Sequence, residues 1–153
     1  MALIPDPLLC TAIVQQAPEA IVFADPAGVI RLWNRAAERV FGFSAAEAIG
    51  QSLDLIIPER LRAPHWAGFR RAIETGRTRS EGGSRITSGL HKSGRKVYVD
   101  LGFSLVFSAA GDILGALSIG RDADARRAEQ AATAARLASV EGELARWRGS
   151  KHG

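Results

Sequence analysis

Between residues 95 and 107 the chain alternates: Val97, Val99, Leu101, Phe103, Leu105 and Phe107 share one parity, while Lys96, Tyr98, Asp100 and Ser104 take the other. Successive side chains of a strand point to opposite faces, so this pattern predicts a half-buried antiparallel strand with one row on a core and one toward water. Such a strand cannot stand alone. Its apolar row needs partner strands and a layer of helix over it.

The partners are legible on both sides. Residues 79–91 lead to a turn at Ser93-Gly94, and a turn at Ala110-Gly111-Asp112 leads to a last strand, Ile113 to Gly120. Upstream, Ala20–Ala24 and Val29–Trp33 flank Asp25-Pro26-Ala27-Gly28, where proline and glycine stand as turns want them, predicting a hairpin. Only helical patterns lie between the second and third strands. Asn34 caps a short helix that Gly42 stops, and Ser44-Ala-Ala-Glu47 is a capping box for another that Gly50 closes. The longest helix of the core spans 59–75 and ends at Gly76. A short helix over 6–16 precedes everything, with Leu8, Leu9, Ala12 and Ile13 at helical spacing.

Residues 123–148 are rich in Ala, Arg and Glu and contain no proline. Leu137, Val140, Leu144 and Trp147 step by 3, 4 and 3, a coiled-coil-like seam over the last two heptads. The expected organisation is an N-terminal cap helix (1–17), an α+β core (18–122), a C-terminal signalling helix (123–148) and a disordered tail (149–153). The core is a five-stranded antiparallel sheet with helices on one face. That layout makes a cup, which a ligand or a plug of side chains must fill.

Composition narrows the function classes. Of 153 residues, 46% are hydrophobic and 24% charged, ordinary for a soluble globular chain. No apolar run approaches the ~18 residues of a membrane span, and no signal segment opens the chain, so a cytoplasmic protein without a membrane partner is expected. The lone cysteine, Cys10, cannot form an internal disulfide. The net charge of +4 is spread among acids, as in Asp122–Arg127 and Glu141–Arg148, with no basic stripe interleaved with aromatics, so nucleic acid is not expected as a partner. Neither a Ser-His-Asp elbow, a Walker loop nor a histidine-kinase phosphoacceptor signature is present, which argues against an enzyme.

Ile21-Val-Phe-Ala-Asp25, Gly28-Val-Ile-Arg-Leu-Trp-Asn34, Ala36-Ala-Glu-Arg-Val-Phe-Gly42, Gly50, Pro58-Glu59, Lys92-Ser-Gly94 and Gly120-Arg-Asp122 occur in that order. As an ordered set over residues 8–122 they resemble the PAS family of sensor domains. The resemblance implies a sensing module that relays through its exit helix, with Asp122 and Arg126 or Arg127 at the join. A flavin–thiol photocycle is not implied, because Ile49-Gly-Gln-Ser-Leu53 stands where photoreceptor PAS domains carry their reactive cysteine.

Pro58-Glu-Arg-Leu-Arg-Ala-Pro-His65-Trp-Ala-Gly-Phe69 is similar to the proximal-histidine helix of FixL-type oxygen sensors within that family. What the resemblance implies is heme b held through iron by His65, with Arg85 as distal arginine and Leu101 and Phe103 as apolar distal residues. Arg79 replaces the family's second histidine, and Trp66 replaces its usual polar residue, so that Trp66 either caps the slot or fills it. Independently of the resemblance, Leu61, His65, Phe69 (or Gly68) and Ala72 step by about four, which puts His65 on the stripe facing the cup.

Plainer readings stand beside these. His65 can cap or pack in a heme-free module, and Arg85 can be a strand-edge surface charge. Leu101 and Phe103 are core residues either way. Asn34 is read only as a helix cap, Trp33 as half-buried packing, His91 as solvated, and His152 as part of the tail. Pro64 suggests that the helix carrying His65 starts afresh near Ala63. Under the heme-free reading the chain homodimerises through Leu8, Leu9, Ile13 and the exit helix and binds a small metabolite or a partner protein. Under either, residues 123–148 offer a surface for a signalling partner acting in trans.

Overall fold

The structure, a computed structural model, describes residues 6–79 and 83–150. Two strands come first, β1 (Ala20–Ala24) and β2 (Ile30–Trp33), and three come last, β3 (Ser84–Leu90), β4 (Lys96–Phe107) and β5 (Ile113–Asp122). They form one sheet in the order β2-β1-β5-β4-β3. Every pairing is antiparallel, and the first hairpin joins the last three strands through β1 and β5, where Ala20 faces Gly120 and Ala24 faces Ala116.

The helices follow their local signals. α1 (Pro7–Gln16) starts at Asp6, whose carboxylate accepts from the Leu8 amide at 2.9 Å. α2 (Arg35–Phe41) is capped by Asn34 and stopped by Gly42 in the left-handed region. α3 (Ala45–Ala48) carries the full capping box of Ser44 and Glu47. A 3-10 turn over Leu53–Leu55 leads to α4 (Glu59–Thr75), and α5 (Asp124–Ser150) follows the sheet. The core lies where α2, α3, the 3-10 turn and Phe69 of α4 meet the inner face of the sheet, around Ile30, Trp33, Phe41, Val97 and Val99.

Several expectations need correction. α4 does not restart at Ala63 but runs through Pro64. The proline removes only the amide that would bond the Arg60 carbonyl, and both residues are exposed, so water can take its place. Trp33 is not half-buried: it is 1% exposed, and its indole N–H donates to the Phe43 carbonyl at 3.0 Å. β3 begins at Ser84 rather than 79; residues 80–82 lie outside the described set. α5 is helical to Ser150, two residues past the expected end, while residues 151–153, with His152, lie outside the described set.

The chain divides into two compact units, Met1–Asp122 and Ala123–Gly153. Within the second, Leu137, Val140, Leu144 and Trp147 are all exposed on α5. None of the helices among the described residues is long and apolar enough to cross a membrane.

Candidate functional site

The site is built on α4 and the inner face of the sheet. α4 is anchored at its start by Asp54 of the 3-10 turn. The Asp54 carboxylate accepts from the Trp66 indole N–H at 2.8 Å and pairs with Arg62 at 3.6 Å, while Arg62 also donates to the Asp54 and Ile57 carbonyls. Two residues one turn apart on α4 are thus tied to one acid, which fixes the rotation of the helix about its axis. Asp54 was not singled out in the sequence; the only hint was an acid standing in the apolar stretch Leu53–Ile57.

With that rotation, Phe69 is buried and Leu61, His65, Trp66 and Ala72 are half-buried, whereas Gly68 is exposed. The stripe expected from spacing is therefore the inward face of α4. Trp66 lies over the Asp25–Gly28 turn, so close that a Cβ on Gly28 would meet its ring at 2.2 Å. Only glycine fits there, and Gly28 also has a φ of +80°. The ring centroids of Trp66 and Phe69 lie 5.0 and 6.0 Å from that of His65.

The His65 Nδ1 atom is buried with no hydrogen-bond partner among the described residues. Burial pushes the imidazole pKa below its ordinary 6.5 and outweighs the opposing pull of the nearby Asp54 carboxylate. The ring is therefore neutral at pH 7, with a lone pair or an N–H held out of water. An orphaned buried nitrogen costs about 1–3 kcal/mol, so such atoms are uncommon without a role.

Opposite α4, the inward parity of β4 holds unevenly. Val97 and Val99 are each 1% exposed, but Phe103 is 37% and Phe107 48% exposed, so the helices leave the far end of the inner face uncovered. Phe103 is thus not the closed-core residue that both sequence readings made it. Leu101 and Leu105, between, are half-buried and pack against the core. Arg85 is exposed on β3 directly across from Leu101, and Leu101 in turn faces Gly120 of β5, which faces Ala20 of β1. These four residues form one row across four strands. A Cβ on Gly120 would come within 2.4 Å of the Leu101 side chain, so Leu101 lies flat over that glycine.

Two expected bystanders do more than expected. Asn34 is fully buried and makes four hydrogen bonds. Its side-chain oxygen accepts from the Ile21 and Ala37 amides, and its amide nitrogen donates to the Val14 and Glu19 carbonyls, all at 2.9–3.0 Å. It ties the end of α1 and the start of β1 to the cap of α2. His91 is half-buried rather than solvated: it packs beneath Gly42 and shares a 2.9 Å hydrogen bond with the Ser93 hydroxyl.

As a donor set for heme b, one neutral imidazole on an apolar inward face, across from a partly uncovered apolar strand, fits the group. Arg85, exposed on the same row as Leu101, is within the same face of the sheet. Among the described residues there is no cluster of three or more His, Cys, Asp or Glu side chains arranged to hold a metal ion.

This sheet order, with its helices on one face and the exit strand running into a helix, is that of a sensor domain. The chain belongs to the PAS family: the PAS fold model matches residues 10–123. Over 83 residues, 54% of this chain and 16% of the relative, it is 36% identical to the sensor protein FixL of Bradyrhizobium diazoefficiens. Over 112 residues, 73% of this chain and 14% of the relative, it is 33% identical to the oxygen sensor protein DosP of Escherichia coli. The chain thus spans about a sixth or less of these curated relatives. The crystal structure of a PAS domain from Colwellia psychrerythraea superposes with a TM-score of 0.64 at 26% identity, covering 76% of this chain and 97% of that one.

Proposed function

We propose that this PAS domain binds heme b through His65 and senses O2 or another diatomic gas. The observation that carries the reading is the buried, partnerless Nδ1 of a neutral imidazole on the inward face of α4. The FixL-type resemblance of the α4 segment and the relationship to two sensor proteins, one an oxygen sensor, support it.

Heme b, when bound, would supply an iron able to take a diatomic gas. His65 would hold the iron, oriented by the Trp66 and Phe69 rings and by the Asp54 anchor of α4. Leu101 and Phe103 would line the gas side and exclude water. Arg85 would offer N–H donors to a bound gas or to a propionate. A change in what Arg85 bonds acts on the row Arg85–Leu101–Gly120, and Gly120 lies two residues before the end of β5. From there Asp122 and Ala123 lead into α5, which carries the signal to a second copy or a partner in trans. A difference of ~1–3 kcal/mol between two packings is adequate for such a relay.

A second reading, a heme-free PAS module for dimerisation or metabolite binding, is favoured by one observation. His65 already packs against two aromatic rings, and Arg85 is exposed rather than turned into the core. Expression with hemin separates the two. One heme per chain and a Soret band lost in His65→Ala, with unchanged far-UV circular dichroism, is expected from the first. Colourless, folded protein after hemin treatment would leave only the second.

A further inference from the structure

The C-terminal end of α4 carries a second feature, about 80–120° around the helix from His65. A shallow cavity of about 440 Å³, largely open to solvent, is lined by Arg71, Thr75, Arg77, Thr78 and Arg79. At 3.6 residues per turn, Arg71 lies about 160° around the helix from buried Phe69, and Thr75 lies about 40° from Arg71. The cavity is therefore on the outward face of α4, apart from the hollow beneath the sheet.

Three arginines contribute to the lining, and among the described residues no Asp or Glu does. Among the described residues, none of Arg71, Arg77 and Arg79 has an ion-pair partner. Like charges gathered at one place repel, and an anion bound between them removes that cost. The end of a helix normally opposes an anion through its unpaired carbonyls. Here two are already covered: the Thr75 hydroxyl donates to the Arg71 carbonyl at 2.7 Å, and the Gly76 amide donates to that of Ala72 at 2.9 Å. Because the Thr75 proton is spent in that bond, the donors left for a ligand are the guanidinium forks and the Thr78 hydroxyl. Planar forks match the oxygens of a phosphate group two at a time.

We propose that this cavity is a binding site for a small phosphate-bearing anion, separate from the heme site and independent of it. The test is calorimetric titration of inorganic pyrophosphate into the purified chain at about 0.15 M salt, where surface attraction is screened beyond ~8 Å. Saturable binding at one site is expected, weakened about five- to tenfold in Arg71→Gln or Arg79→Gln and retained in His65→Ala and in Arg39→Gln, which alters an exposed arginine on α2. The proposal is overturned if binding does not saturate, if Arg71→Gln and Arg79→Gln bind as the unaltered chain does, or if Arg39→Gln weakens binding as much as they do.

Discussion

Replacing Asn34 with leucine should be among the most destabilising single changes in the core. Its side chain supplies both partners for the Ile21 and Ala37 amides and donates to the Val14 and Glu19 carbonyls. Leucine keeps the volume and removes all four bonds. Val14 and Glu19 are half-buried and belong to the end of α1 and the segment after it, so their carbonyls can reach water if that end frays. The Ala37 amide is buried within α2 and cannot, and the amide of half-buried Ile21 lies inside β1. At about 1–3 kcal/mol for each stranded amide, the loss is about 2–6 kcal/mol, a large part of the ~5–15 kcal/mol that holds a domain together.

Aspartate at the same position separates the roles of acceptor and donor. Asn34→Asp keeps an acceptor for both amides but turns a carboxylate against two carbonyls. The folded-state pKa of that carboxyl then lies above its unfolded value of about 3.9. Its penalty is full at neutral pH and eases as pH falls through the folded pKa toward 3.9. Urea denaturation at pH 5 and pH 8 measures this. Asn34→Leu should lose the same stability at both, while Asn34→Asp should lose less at pH 5 than at pH 8. If both variants lie within about 0.5 kcal/mol of the unaltered chain at either pH, Asn34 is not the tie described here.

Three further outcomes follow from named contacts. His65 is held neutral by burial, so its folded pKa lies below 6.5; stability should fall as pH drops through 6.5, where the unfolded chain takes a proton that the folded one refuses, and denaturation curves of His65→Gln should show a smaller fall. Hydrogen bonds from Lys92 and from the Ser44 amide lower the Glu47 pKa to about 2, so its contribution is present above 4.5 and lost between 4.5 and about 2; Lys92→Gln should shrink that acid-side loss in melting experiments. Gly120→Val places side-chain atoms where a Cβ alone would meet Leu101 at 2.4 Å and the Asp100 carbonyl at 2.8 Å, so it should cost at least about 1–3 kcal/mol by overpacking, with Gly102→Ala, which meets nothing closer than 3.8 Å, as the tolerated control.

How far the sequence could be read depends on how far apart the contacts lie along it. The alternation of β4, the capping box at Ser44 and the turn at Gly28 are local signals, and the strands and helices formed from them. The stripe of α4 was legible too, because spacing by four is a property of one helix. Long-range partners were not. Asn34 reads as a cap because Ala37 is three residues away; its bonds to Val14, Glu19 and Ile21 join segments 13–20 residues upstream. Parity put Phe103 on the inward row but says nothing about whether a helix reaches far enough to cover it, and none does. Pro64 reads as a helix start by local rule, whereas the anchoring of Arg62 and Trp66 on Asp54 holds the helix on both sides of it.

The state of the His65 ring is open to direct measurement. Long-range ¹H–¹⁵N spectra of the imidazole, recorded from pH 5 to 8 with and without hemin, report its charge and its metal bonding together. A ring that stays neutral down to pH values below 6.5, and whose nitrogen signals shift or broaden away on adding one equivalent of hemin, is the expected result. A ring that gains its proton at or above 6.5, with signals that hemin leaves in place, would contradict both the enclosure of this side chain and its proposed role as the iron ligand.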